Sequence, residues 1–141
     1  MTSTTSYLGM QFLQTGLEGI RKTLVDALEE RRYGYVVTPN VDHVVSYHED
    51  PGPLKAVYDG ARLQICDSRV LSKLAYLSGI RLIPTPGSDL TRDLLERPLT
   101  PGLRIAVLGP SREAFELLQK RYPSANLRYL SSASQLRQGS Q

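Results

Sequence analysis

Short β-type runs alternate with segments of helical period along most of this 141-residue chain. That alternation limits the fold more than any single motif does, because strands separated by helices join most simply as βαβ units in a mostly parallel sheet. Leu17, Ile20, Leu24, Ala27 and Leu28 have the spacing of one buried face on a helix from Leu17 to Arg31. Tyr33 to Val37 predicts a strand, ended by Thr38 and Pro39, and Asn40 is placed to cap a helix that buries Val41, Val44 and Val45. Pro53 opens a short helix carrying Leu54, Val57 and Tyr58. Leu63 to Cys66 predicts a strand that stops at Asp67, where Ser68 caps a helix burying Val70, Leu71, Leu74 and Leu77 before Gly79 terminates it.

Arg81 to Ile83 reads as a further strand, and Ser88 as the cap of a helix with Leu90, Leu94 and Leu95. After a turn-rich break from Pro98 to Gly102, Arg104 to Leu108 is the clearest strand of the chain. Gly109 and Pro110 lead into a helix from Ser111 to about Tyr122 that buries Phe115 and Leu118, and Leu127 to Leu130 is a last strand. The expected architecture is one Rossmann-like α/β domain over residues 9–130, a mostly parallel sheet with helices on both faces. Residues 131–141, rich in serine and glutamine, read as a disordered tail.

Composition bounds the function classes. A chain that is 40% hydrophobic and 22% charged, with both signs mixed, is that of a globular protein, and no apolar run reaches the ~20 residues that span a bilayer. Met1 to Ser6 lacks the basic and apolar regions of an export signal, so a cytoplasmic location is expected. Cys66, the single cysteine, sits in an apolar run where a thiol packs as a small hydrophobe. A net charge of +3 suits an anionic partner, but the arginines are too scattered in sequence to mark a nucleic-acid face, and no nucleic acid is expected. The chain has neither a P-loop nor a dinucleotide fingerprint, and His43 and His48 have the wrong spacing for two ligands on one helix face. No metal and no cofactor are expected.

Three strand-to-helix turns carry small, polar or acidic residues: Thr38 to Asn40, Asp67 to Ser68, and Gly109 to Ser111. In one parallel sheet all three would lie at its carboxyl edge, where open α/β sheets place their ligands and where helix amino termini offer amides to an anion such as a nucleotide diphosphate. Each of Asn40, Ser68, Ser88 and Ser111 also suits a plain helix cap, Asp89 can complement a helix dipole, and Asp42 can be a solvated charge. Asp67 follows an apolar run and so lies near the core edge, where a general base is shielded from bulk water; helix capping is its structural alternative.

Taken together, Thr38, Pro39, Asn40, Val41 and Asp42, then Ile65, Cys66 and Asp67, then Gly87, Ser88, Asp89 and Leu90 resemble the WecG/TagA/CpsF family of bacterial glycosyltransferases. The family pattern runs T-P-N-x-D, an apolar strand ending in D-G, then G-S-D-L, and the likeness extends from about Leu17 to Leu130. It implies an inverting, metal-independent hexosyltransferase. The enzyme would move N-acetylmannosamine or a related hexose from a UDP-sugar to a polyprenyl-diphosphate-linked sugar, for polysaccharide synthesis at the inner face of the cytoplasmic membrane. It implies Asp67 as general base with Thr38 beside it, and Asn40, Asp42, Gly87, Ser88, Asp89 and Gly109 as substrate-binding positions. Ser68, Pro84 and Pro110 depart from the pattern, which carries a glycine, an arginine and a second glycine there. The pattern also continues past Leu130 into a basic, membrane-facing segment. A chain short of it could work with a partner chain or as a homo-oligomer, and the alternative function is a non-catalytic, sugar-nucleotide-binding remnant.

Overall fold

The computed structural model describes residues 3–131, which divide into two compact units between Thr91 and Arg92. The first unit opens on an antiparallel hairpin, β1 (Thr4–Tyr7) and β2 (Met10–Leu13), which the sequence pattern does not single out. Its two-residue turn places Leu8 at φ 48° and Gly9 at φ 79°, the left-handed pair of a type I′ hairpin that matches the twist of the strands. Leucine pays for this conformation where asparagine is at home. Leu8→Asn is therefore expected to stabilise the fold by about 1 kcal/mol, read as a rise in Tm of a few degrees.

The helix α1 (Leu17–Glu29) buries Ile20 and Ala27 and leaves Leu28 exposed. It stops two residues short of the expected Arg31, because Arg31 takes φ 50° and the Arg32 amide turns back to the Ala27 carbonyl, closing the last turn. The strand β3 (Val36–Val37) is shorter than the expected run from Tyr33, which is fully in solvent. Asn40 caps α2 (Val41–Glu49), whose buried residues are Val44 and Tyr47; Val45 is exposed. The helix α3 (Pro51–Asp59) starts at Pro51 rather than Pro53.

The strand β4 (Leu63–Gln64) lies between β2 and β3 and runs parallel to both, in the order β1-β2-β4-β3. Its pairing with β3 continues past the strand ends: Ile65 N–H donates to the Val37 carbonyl at 2.9 Å and Asp67 N–H to the Pro39 carbonyl at 3.1 Å. Arg81 to Ile83 does not form a strand. A single parallel bridge joins Cys66 and Pro84, and proline, which has no N–H, cannot extend the ladder. Over this sheet Met10, Phe12, Val44, Tyr47, Tyr58, Cys66, Leu71 and Leu82 form one core cluster.

Ser68 Oγ accepts the Leu71 N–H and starts α4 (Arg69–Leu77). Gly79, at φ 77°, ends it in a Schellman turn, with Ile80 N–H bonded to the Ala75 carbonyl and Gly79 N–H to that of Tyr76. The helix buries Leu71 and Ala75, whereas Val70, Leu74 and Leu77, expected inside, are exposed. Apolar residues occur on both sides of this helix, and the sheet can cover only one. The helix α5 (Gly87–Glu96) begins in the first unit and runs into the second; Ser88 lies within its first turn and does not cap it, the Asp89 and Leu90 N–H groups bond to the Pro86 carbonyl, and Leu90 and Leu95 are buried.

In the second unit β5 (Arg104–Leu108) pairs in parallel with β6 (Asn126–Leu130) through α6 (Arg112–Arg121). Ser111 caps α6 as expected, Phe115 is buried against Tyr129 with ring centroids 5.2 Å apart, and Leu118 is half-buried. The fold is thus mixed α/β with mostly parallel strands, Rossmann-like as the sequence pattern predicts. The expected tail from Ser131 falls, beyond that residue, outside the described residues.

Candidate active site

Three chain segments meet at the carboxyl end of β3 and β4. Pro39 is fully buried and anchors the first turn, leaving Thr38 and Asn40 half-buried on either side of it. Asn40 is occupied structurally: its Oδ1 accepts the His43 N–H at 3.1 Å, while its own N–H donates to His43 Nδ1 at 3.2 Å. Only its side-chain NH2 is left for a ligand.

Asp67 is half-buried in the second turn. It does not cap α4, because Ser68 does. Its Oδ1 instead accepts the Gly87 N–H at 2.7 Å, across twenty residues, so that the carboxylate closes the amino terminus of α5 from outside that helix. The third segment is held in place by Thr85, a buried residue whose N–H donates to the Cys66 carbonyl at 2.8 Å. Nothing in the sequence pattern marks Thr85, since its contribution is a main-chain bond.

Gly87 sits directly against Thr38. A β-carbon at Gly87 would lie 3.1 Å from Thr38 Oγ1 and 3.3 Å from its Cγ2, tighter than ordinary packing allows. Gly87 therefore joins the other two, packed against the Thr38 side chain and bonded through its N–H to the Asp67 carboxylate. Among the described residues, neither Thr38 Oγ1 nor Asp67 Oδ2 has a hydrogen-bond partner. A fixed carboxylate with one oxygen committed and the other available, beside an unengaged hydroxyl, can accept a proton from a bound hydroxyl and orient the atom that carries it.

Ser88 is exposed and Asp89 half-buried on the first turn of α5, and Asp42 is exposed on the first turn of α2. Gly109, at φ 105°, ends β5 in the second unit, where β5 and β6 form a sheet of their own. His48 Nε2 lies 3.0 Å from the Leu8 carbonyl, away from His43 in its capping box. Among the described residues no three His, Cys, Asp or Glu side chains converge as metal ligands.

Cys66, next to Asp67, is wholly buried, and burial pushes its thiol above the ordinary range while its S–H points at the Ser68 carbonyl, 3.3 Å away. It packs as a hydrophobe, as expected. Alkylation of Cys66 in the native protein should therefore be slow and accelerate only on unfolding, as mass spectrometry of iodoacetamide-treated protein would show. The unfolded chain ionises at the usual thiol value of about 8.5, and the folded chain only at higher pH. This contribution to stability is present below that pH and is lost above it.

An α/β chain with a carboxylate and a hydroxyl at the carboxyl edge of parallel strands is built as the ligand-binding α/β enzymes are. Residues 5–135 match the glycosyl transferase WecG/TagA/CpsF family, and the chain belongs to that family. It is thus a glycosyltransferase, working on a sugar-nucleotide donor and an acceptor. No curated protein matches the sequence.

Proposed function

We propose that this glycosyltransferase transfers a hexose or N-acetylhexosamine, of the N-acetylmannosamine type, from a UDP-sugar to a polyprenyl-diphosphate-linked sugar, with inversion and without a metal. The observation that carries this reading is the junction of Thr38, Asp67 and Gly87, where a carboxylate is fixed by one oxygen. The acceptor hydroxyl oxygen attacks the anomeric carbon and its proton passes to Asp67 Oδ2. The bond from that carbon to the diphosphate oxygen breaks, and the electron pair leaves with UDP. Thr38 Oγ1 and the Asn40 side-chain amide orient sugar or phosphate oxygens by hydrogen bonds, and the first turn of α5, Gly87 to Asp89, forms the adjoining wall.

No helix among the described residues is long and apolar enough to cross a membrane. A lipid-linked acceptor then calls for a peripheral position at the inner face of the cytoplasmic membrane, in the synthesis of a surface polysaccharide. The test is UDP release by purified protein from UDP-N-acetylmannosamine and a lipid-diphosphate-sugar acceptor, with EDTA present. Turnover that depends on Asp67 supports the reading; UDP binding without turnover would leave a sugar-nucleotide-binding protein in its place.

A further inference from the structure

The exposed side of α4 carries a stripe that the fold does not use. Val70, Leu74 and Leu77, at the i, i+4, i+7 spacing of one helix face, are 59%, 44% and 82% exposed, and Tyr76 beside them is 75% exposed. At its carboxyl end the stripe opens into a groove of about 500 Å³ lined by Ser72, Lys73, Tyr76, Leu77, Arg81 and Leu82. The groove is firmly built: Ser72 Oγ donates to the Leu82 carbonyl at 2.8 Å, and Gln14 Nε2 to that of Arg81 at 2.9 Å.

Charge selects the occupant. From Ser68 to Ser88 the chain holds Arg69, Lys73 and Arg81 and no acidic residue, and among the described residues neither Lys73 nor Arg81 forms an ion pair. A second copy docked through the same face would bring a segment with Arg69, Lys73 and Arg81 and no acidic residue against its like, and like-charge repulsion disfavours that. An apolar stripe edged by lysine and arginine on one helix face is instead the pattern of a segment lying in a lipid interface, its apolar side chains among acyl chains and its cations at phosphates.

We propose that α4 and the Arg81 groove form the face by which the protein rests on an anionic phospholipid bilayer. This places the membrane contact suggested above on named residues and rests on that peripheral reading. It does not depend on which sugar is moved. The stripe begins at Val70, three residues beyond Asp67, so the same helix that follows the candidate base would lie along the lipid surface.

The test is co-sedimentation of the full chain with phosphatidylcholine vesicles, with and without phosphatidylglycerol. The wild type should bind only the anionic vesicles, and less as salt rises. Lys73→Gln with Arg81→Gln should weaken binding about 25-fold, from about fivefold per cation. Leu77→Ser should weaken it about tenfold. All three side chains are outside the core, so each variant should keep the wild-type Tm. Wild-type protein that ignores anionic vesicles, as it would if an acidic protein were the true partner, overturns the proposal, and so does binding unchanged in the double variant. UDP release from a short-chain, lipid-free acceptor separates the two readings. Variants that lose vesicles but keep that turnover leave the transferase standing, whereas vesicle binding by a wild type without turnover refutes only the transferase.

Discussion

Asp67→Asn should abolish UDP release while leaving the fold intact. The two roles of this side chain can be separated because they use different oxygens. Oδ1 accepts the Gly87 N–H, and an asparagine Oδ1 can accept it as well. Oδ2, the proposed proton acceptor, becomes an NH2 that cannot take a proton. Loss of a general base removes about 10²–10⁴ in rate, whereas thermal unfolding of the asparagine variant should remain close to wild type. Asp67→Ala removes both roles and should lower stability by about 1–2 kcal/mol, since the amino terminus of α5 then loses its external acceptor. Comparing the two variants by Tm and UDP release decides the matter. Turnover preserved in Asp67→Asn would reduce Asp67 to a helix-capping residue.

The second large effect is expected at Gly87. Its φ is ordinary, so no backbone strain protects it; the space does. In Gly87→Val the new side chain must enter the volume held by Thr38, and overpacking of this kind costs about 1–3 kcal/mol. The chain can respond by moving Thr38 or by withdrawing the Gly87 N–H from Asp67. Either response displaces a group of the site, and a shift of ~1 Å can cost about 10²-fold in rate. Thr38→Ser in the Gly87→Val background removes Cγ2 and lets the hydroxyl turn away, so part of the stability should return. Wild-type Tm and turnover in Gly87→Val would show that the contact with Thr38 is slack and that Gly87 places nothing.

The features read correctly from sequence are those closed within a few residues. Asn40, Ser68 and Ser111 each accept an N–H three positions ahead, a bond set by local geometry alone, and Gly79 ends α4 because its own backbone can turn left-handed. The run Arg104 to Leu108 carries its strand character in its own residues, and the family motifs are likewise strings of neighbours. Ser88 misled because it lies inside the first turn of α5, whose leading N–H is taken by the Asp67 carboxylate twenty residues away, a partner no local pattern shows. Leu74 and Leu77 misled for a different reason. Hydrophobic periodicity shows that a helix has an apolar side, but α4 has two, and the sequence does not say which the sheet will cover.

Most of the helices, the α/β class and the identity of the acidic strand-end residue were therefore legible in the chain itself, because propensity, capping and periodicity act over one or two helical turns, whereas the opening hairpin was not read and the strand expected at Arg81 to Ile83 does not form. The partnership of Asp67 with Gly87, the pressure of Gly87 on Thr38, the pairing of β4 between β2 and β3 and the exposure of the α4 stripe come from folding in three dimensions. Each joins or separates residues that are distant in sequence, and their positions follow from strand register and core packing, which no local pattern encodes.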